Sequence, residues 1–205
     1  MYALYLTHPQ VEIDPARPVP EWSLSAEGRR RAGIVRAASW VGEIGRIVSS
    51  TERKALETAG VIAECAGLPV EAEERMGEND RSATGFLPPS EFEAAADRFF
   101  AHPHLSFRGW ETAADAQARI VAAVDDALAA HDPSVPVLFV GHGGVGTLLK
   151  CAIARRPIDR REDQGPGGGG MLFGFDLVKR RLLCDWTPIE SFKDLPWIEP
   201  PPGTA

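Results

Sequence analysis

Short apolar runs alternate with longer amphipathic segments along most of this chain. The apolar runs are bounded by turn residues and are too short for buried helices, so they predict strands. These runs cover residues 2–6, 44–48, 68–71, 135–140, 171–177 and 181–185. The segments between them place apolar side chains at helical spacing, which predicts helices. This alternation indicates an α/β domain with a mostly parallel sheet, whose ligand site lies at the carboxyl ends of the strands.

Capping residues predict where these helices begin and end. Ser25 is a suitable N-cap for a helix that the pattern extends to about residue 41. Ser49, followed three residues later by Glu52, matches a capping box and predicts that the next helix begins at that serine. Gly67 is placed to end this helix, since glycine readily adopts the left-handed conformation of a C-cap.

The composition is that of a folded globular protein with an acidic balance. The chain has 205 residues, of which 44% are hydrophobic and 25% charged, and we expect one domain over residues 1–205. A formal net charge of −7 argues against nucleic acid as a partner. No apolar run approaches the ~20 residues that span a bilayer, so we expect no membrane association and a cytoplasmic location. The sequence leaves the oligomeric state open, with a dimer as one alternative.

Cysteine and histidine spacing predicts neither disulfides nor a metal site. Cys65, Cys151 and Cys184 are an odd number of cysteines without C-x-x-C spacing, so they are expected to be reduced. His102 and His104 flank a proline beyond a predicted helix, in an arrangement that does not support metal binding. No metal and no cofactor are therefore expected.

Two further histidines stand at predicted strand ends, where ligands bind in α/β domains. His8 follows the first strand, and His142 lies in a glycine-rich turn between a strand and a helix. Taken alone, this turn has three interpretations. A dinucleotide fingerprint requires a second strand ending in an acid about 20 residues later, which the chain lacks. A hydrolase oxyanion loop requires a G-x-S-x-G nucleophile turn, which is also missing. An anion site at the helix N-terminus remains.

Taken together, five segments resemble the histidine phosphatase superfamily, which has the phosphoglycerate mutase-like fold. No one segment is specific, but their order and spacing along nearly the whole chain are. The segments are Tyr5-Leu6-Thr7-His8-Pro9-Gln10, Trp22-Ser23-Leu24-Ser25-Ala26-Glu27-Gly28, the helix entry 49–59 (SSTERKALETA), Gly109-Trp110-Glu111-Thr112 with Arg119 further on, and Phe139-Val140-Gly141-His142-Gly143-Gly144.

The resemblance implies a three-layer α/β/α sandwich with a mostly parallel central sheet. It also implies a phosphatase that acts on a small phosphomonoester through a phosphohistidine. His8 would be the nucleophile, His142 would bind the phosphoryl group, and Glu78 would protonate the leaving alkoxide. Hydrolysis is favoured over mutase activity, because no feature of the sequence demands that the phosphohistidine be shielded from water.

The chain departs from the family signatures where positive charge is expected. Thr7 and Pro9 replace the arginine and glycine of the Arg-His-Gly signature, and Lys54 occupies the position of a second arginine, with Arg53 one residue before it. A hydroxyl cannot replace a guanidinium charge, and lysine lacks the planar fork of arginine. We therefore expect a compensating cation and favour Arg81, in the loop that carries Glu78.

The predicted phosphate-binding set is consequently Thr7, Arg53, Lys54, Arg81 and Gly143. If the missing arginine is not compensated, the alternative is a catalytically silent module that binds a phosphorylated ligand or partner. Turnover of phosphomonoesters separates the two.

Overall fold

One mixed sheet of six strands forms the centre of the computed structural model, which describes residues 1–195; residues 196–205 of the expected domain lie outside this range. The strand order is β3-β2-β4-β1-β5-β6. The first four strands in this order are parallel, whereas β5 runs antiparallel to both β1 and β6. The strands are β1 (Tyr2–Thr7), β2 (Arg46–Ser50), β3 (Val70–Glu73), β4 (Val137–Gly141), β5 (Met171–Asp176) and β6 (Leu182–Pro188).

Helices cover both faces of the sheet and create two hydrophobic cores. They are α1 (Ala26–Ala32), α2 (Arg53–Ala66), α3 (Pro89–Ala101), α4 (Ala113–Ala129) and α5 (Gly143–Ala154). Successive β1 side chains enter opposite cores: Tyr5 packs on the side of α3, α4 and α5, whereas Leu4 and Leu6 pack on the side of α2. The predicted three-layer α/β/α sandwich with a mostly parallel sheet is therefore confirmed. No helix within residues 1–195 meets the length and apolarity needed to cross a bilayer.

Two predicted helix boundaries are wrong. The helix that Ser25 begins ends at Ala32 and continues as short 3₁₀ turns, because Ser39 and Trp40 bond to the backbone of residues 192–193 from the far end of the chain. Ser49 belongs to β2, where its backbone pairs with both neighbouring strands, so α2 has Glu52 as its N-cap. Gly67 does end α2, at a φ of 68°.

Strand register brings the two candidate histidines together. Thr7, the last residue of β1, pairs with Gly141, the last residue of β4, and His8 N–H donates to the Gly141 carbonyl at 3.0 Å. The next residue of each chain segment is therefore a histidine at the same edge of the sheet. β2 and β3 are parallel to β4, so the loops that follow them begin at the same edge. These loops carry Glu52 and Glu78, which lie beside the histidines.

Candidate active site

His8 presents one ring nitrogen to a cleft and uses the other structurally. Its Nδ1 lies 2.8 Å from the Pro9 carbonyl oxygen. Because a carbonyl only accepts, Nδ1 carries the proton and Nε2 carries the lone pair. Burial lowers the pKa of His8 to about 4, with the charges of Lys54 and Arg81 acting in the same direction. The ring is therefore neutral at pH 7, with an unprotonated Nε2.

His142 is fully buried against His8, with ring centroids 5.2 Å apart. Its Nε2 lies 2.8 Å from Ser50 Oγ, which itself accepts a hydrogen bond from the Glu52 N–H. Nε2 also lies 3.5 Å from Glu52 Oε1. In the tautomer in which Ser50 Oγ donates to Nε2, the His142 proton is on Nδ1. Burial lowers the pKa of His142 to about 4. Nδ1 has no hydrogen-bond partner among residues 1–195, and in that tautomer it is a buried donor without an acceptor.

Glu52 and Lys54 form a buried ion pair beside the two histidines. Lys54 Nζ donates to Glu52 Oε2 and, at 2.8 Å, to the Val19 carbonyl. Burial opposes ionisation of Glu52, yet the imidazole of His142 and the ammonium of Lys54 lower its pKa to about 2. Because His142 is neutral at pH 7, Lys54 is the partner that keeps Glu52 ionised. Much of the positive charge of Lys54 is thus neutralised before any ligand binds.

Glu78 lines the same cleft and contacts the N-terminus of α5. Its carboxylate oxygens accept from the N–H groups of Gly144 at 3.0 Å and Val145 at 2.9 Å. Its own N–H donates to Glu52 at 2.8 Å. Arg119, which belongs to one of the segments that resemble the family, fixes this loop by donating to the carbonyls of residues 75, 77 and 78. Hydrogen bonds to its carboxylate and to its backbone therefore hold Glu78 beside the histidines.

Arg81 is the cation of this cleft that lacks a carboxylate partner in the described part of the chain. Its guanidinium carbon lies 4.9 Å from the centre of the Phe92 ring, and Asp80, the residue before it, instead accepts from the Ser82 N–H. The cleft has a volume of about 820 Å³. Its lining includes His8, Gln10, Glu78, Asn79, Arg81, Phe92, Phe99, Trp110, Gly143, Gln164 and residues 165–169.

The remaining members of the predicted phosphate-binding set are placed differently. Arg53 is exposed and pairs with Glu57 at 3.0 Å, so the geometry does not bring it to the cleft. Thr7 is fully buried, with its hydroxyl bonded to Gln164 and to the backbone of Met171. Gly143 lines the cleft as the first residue of α5, and its N–H has no partner within residues 1–195.

A glycine-rich loop lines the cleft next to His8. Gly165 and residues 167–170 have φ values between 70° and 125°, which side chains other than glycine rarely adopt. The Gly170 N–H donates to the His8 carbonyl at 3.1 Å. Buried Arg31 anchors the loop by donating to the carbonyls of Gly167 and Gly169. The sequence patterns predict no role in the site for Arg31, Glu52 or Gln164. Glu52 enters the sequence analysis only as part of a capping box.

Comparison with known proteins assigns the chain to a class. It belongs to the histidine phosphatase superfamily (branch 1), whose family model matches residues 11–166. Glucosyl-3-phosphoglycerate phosphatase of Mycobacterium tuberculosis is 30% identical to it over 192 residues, covering 85% of this chain and 80% of that protein. The predicted family is therefore confirmed, as is the prediction of a phosphatase that acts on a small phosphomonoester.

Solved structures show the same fold. A mycobacterial glucosyl-3-phosphoglycerate phosphatase in complex with inorganic phosphate superposes with a TM-score of 0.74 at 23% identity, covering 92% of this chain and 98% of that one. YhfR of Bacillus stearothermophilus gives a TM-score of 0.75 at 23% identity, covering 89% and 94%. At this identity the likeness extends to the fold alone.

Proposed function

We propose that the chain hydrolyses its phosphomonoester in two steps through a phosphohistidine on His8. The observation that carries this proposal is the 2.8 Å contact between His8 Nδ1 and the Pro9 carbonyl. It fixes the tautomer in which Nε2 is the nucleophile, and Nε2 has no hydrogen-bond partner within residues 1–195. The contact needs only a backbone carbonyl, so it survives the replacement of the signature glycine by Pro9.

In the first step His8 Nε2 attacks phosphorus, a P–N bond forms and the P–O bond to the alcohol breaks. The departing alkoxide takes a proton from Glu78. In the second step water attacks phosphorus and passes its proton to Glu78. The P–N bond breaks, its electron pair returns to Nε2, and inorganic phosphate leaves.

Glu78 is assigned as the acid because the other carboxylates nearby are committed elsewhere. Glu52 has a pKa of about 2 and stays ionised against Lys54. Glu93 and Asp163 also line the cleft, but both are ion-paired with Arg160. Glu78 has no ion pair within the described residues and lines the same cleft as His8.

Negative charge on the phosphoryl group is offset by several weak contributions in place of the signature arginine. We assign His142 Nδ1–H and the Gly143 N–H as donors and Arg81 as the main cation. Lys54 contributes less, because Glu52 already neutralises it. Removing Arg81 is therefore expected to lower kcat/KM by roughly 10- to 100-fold, the value of a charge-assisted hydrogen bond. Arg98→Gln is the matched control, since Arg98 also stacks on an aromatic ring but lies outside the cleft.

The substrate class that we propose to test first is a phosphorylated sugar acid. The support is the mycobacterial relative, whose name gives glucosyl-3-phosphoglycerate as its substrate and which aligns over 85% of this chain. The cleft of about 820 Å³ accommodates an organic group of that size. An aryl phosphate serves as the generic substrate, because aromatic side chains line part of the cleft.

Trapping the intermediate tests the proposal. Acid-labile, base-stable phosphate is expected on wild type after a brief reaction with labelled substrate, and it should be absent from His8→Ala. His104→Ala, which replaces an exposed histidine that does not line the cleft, is the control and should label as wild type does. A His8→Ala variant that keeps full turnover would remove the assignment of the nucleophile.

The buried Thr7 hydroxyl, in place of a guanidinium, favours one alternative: a silent module that binds a phosphorylated ligand or partner. Purified protein that binds inorganic phosphate but turns over no member of a broad phosphomonoester panel would establish this alternative and exclude hydrolysis.

A further inference from the structure

Gln164 links the residue that replaces the signature arginine to the first turn of α5. Thr7 Oγ1 accepts from the Met171 N–H at 3.0 Å, and its own proton has two acceptors within reach, Gln164 Oε1 at 2.7 Å and the Met171 carbonyl at 3.2 Å. Thr7 is fully buried, so this arrangement is shielded from water. The hydroxyl makes its shorter contact with Gln164 Oε1, and the NH₂ group of Gln164 faces away from Thr7.

The NH₂ group of Gln164 lies against Gly143, the first residue of α5. A Cβ on Gly143 would come within 2.1 Å of Gln164 Nε2, so the amide rests directly on this glycine. Gln164, Gly143 and His8 all line the same cleft. Within residues 1–195 neither Gln164 Nε2 nor the Gly143 N–H has a hydrogen-bond partner. Two unused donors thus lie close together at the N-terminus of α5, in the cleft that His8 also lines.

Gln10, the other glutamine of this cleft, does not leave its NH₂ group without a partner. Its Nε2 donates to the Gly167 carbonyl at 2.8 Å, and its Oε1 accepts from Arg31 at 3.0 Å. Both ends of the Gln10 amide are therefore used to hold the glycine-rich loop. Gln164 uses only its oxygen and keeps its NH₂ group for another acceptor.

From these contacts we infer that Gln164 is a phosphate-binding residue, oriented by Thr7. Its Nε2 donates to a non-bridging oxygen of the phosphoryl group that His8 attacks, next to the Gly143 N–H. The inference rests on the proposed function, because it takes His8 as the nucleophile. A preorganised neutral donor stabilises the charge that develops in phosphoryl transfer without carrying charge itself. The Thr7–Gln164 pair thus supplies the donor of the missing arginine, while its charge comes from elsewhere in the cleft.

Binding of inorganic phosphate to the unmodified chain gives a test that needs no turnover. The Gln164 side-chain NH₂ signals are assigned in ¹⁵N–¹H spectra by their loss in Gln164→Ala. Titration with phosphate is expected to shift these signals in wild type, while the Gln10 NH₂ signals move little. In Thr7→Val the Gln164 shift should shrink, because the amide is no longer oriented.

Kinetics of paired variants give the second test. Gln164→Glu and Gln10→Glu add the same charge to the same cleft, but only the first replaces a donor to phosphate. We expect Gln164→Glu to weaken phosphate and vanadate inhibition by roughly 10- to 100-fold and to lower kcat. Gln10→Glu should change these constants several-fold less. Thermal unfolding of both variants checks that the fold is retained.

The two proposals fail separately. If wild type forms no phosphohistidine but phosphate shifts the Gln164 signals, hydrolysis is lost and the binding residue stands. If wild type turns over substrate but the Gln164 signals stay fixed under saturating phosphate, this inference is overturned. Equal inhibition constants for Gln164→Glu and Gln10→Glu would overturn it as well.

Discussion

Restoring the signature arginine by Thr7→Arg is expected to destabilise the chain without raising its activity. Thr7 is fully buried between Gln164 and Met171, and a Cβ on Gly169 would already lie 3.5 Å from its hydroxyl. An arginine there overfills the space, at about 1–3 kcal/mol. It also removes the acceptor of the Met171 N–H, at about 1–3 kcal/mol. The expected loss is about 2–6 kcal/mol, against a typical total stability of about 5–15 kcal/mol.

Urea unfolding and steady-state kinetics measure the two sides of this prediction. With a slope of about 2 kcal/mol per molar urea, the unfolding midpoint should fall by about 1–3 M. Thr7→Ser keeps the hydroxyl and is expected to remain near wild type. Thr7→Arg combined with Gln164→Ala should recover part of the stability, because it removes the side chain with which the arginine competes. A Thr7→Arg protein that is as stable as wild type and turns over substrate faster would refute this account of the position.

Three other predictions follow from buried contacts of the site. Lys54→Ala leaves the Glu52 carboxylate buried without its ion-pair partner and should lower the unfolding free energy by about 3–5 kcal/mol in urea titrations, whereas Lys54→Arg should lower it less. Gly169→Ala places a Cβ 2.0 Å from the His8 carbonyl at a φ of 79°, so thermal scans should show a lower Tm and assays a lower kcat. Gly60→Ala is the control, because a Cβ at Gly60 of α2 meets no other atom within 4 Å. His8 and His142 each have a pKa of about 4 in the folded state, against an ordinary value of 6.5. Between pH 6.5 and 4 these two histidines therefore take up protons only in the unfolded chain. The unfolding free energy should accordingly fall as pH is lowered through this window. Urea titrations at several pH values check this slope, which a His8→Gln/His142→Gln variant should lose in part.

Local patterns were sufficient for those features of the site that depend on strand ends. His8 and His142 each follow an apolar run, and parallel pairing of the two strands brings their ends to one edge. Gly67 shows the same for a helix end, because its left-handed C-cap depends on the local backbone alone. The helix that begins after Ser25 was overextended because its termination depends on contacts with residues 192–193, which no local pattern records.

The contacts that tune the chemistry lie far apart in the sequence and could not be read from it. Thr7 and Gln164 are 157 residues apart, and Arg31 reaches the carbonyl of Gly169 across 138 residues. Helical phase separates Arg53 from Lys54: adjacent helix residues point about 100° apart, so only one of the two faces the interior. The sequence pattern predicts a cation in the first turn of α2, but the packing of α2 against the sheet determines which of the two side chains enters the site.

The position of β1 in the sheet has a consequence for biosynthesis. β1 leaves the ribosome well before its partners β4 and β5, which begin only at Val137 and Met171. An entirely buried apolar strand therefore waits without hydrogen-bonding partners until most of the chain has been made, a condition that promotes aggregation and slows folding. His8 therefore reaches its working geometry only after β4 and β5 have been translated, and a nascent chain interrupted before Val137 has no active site.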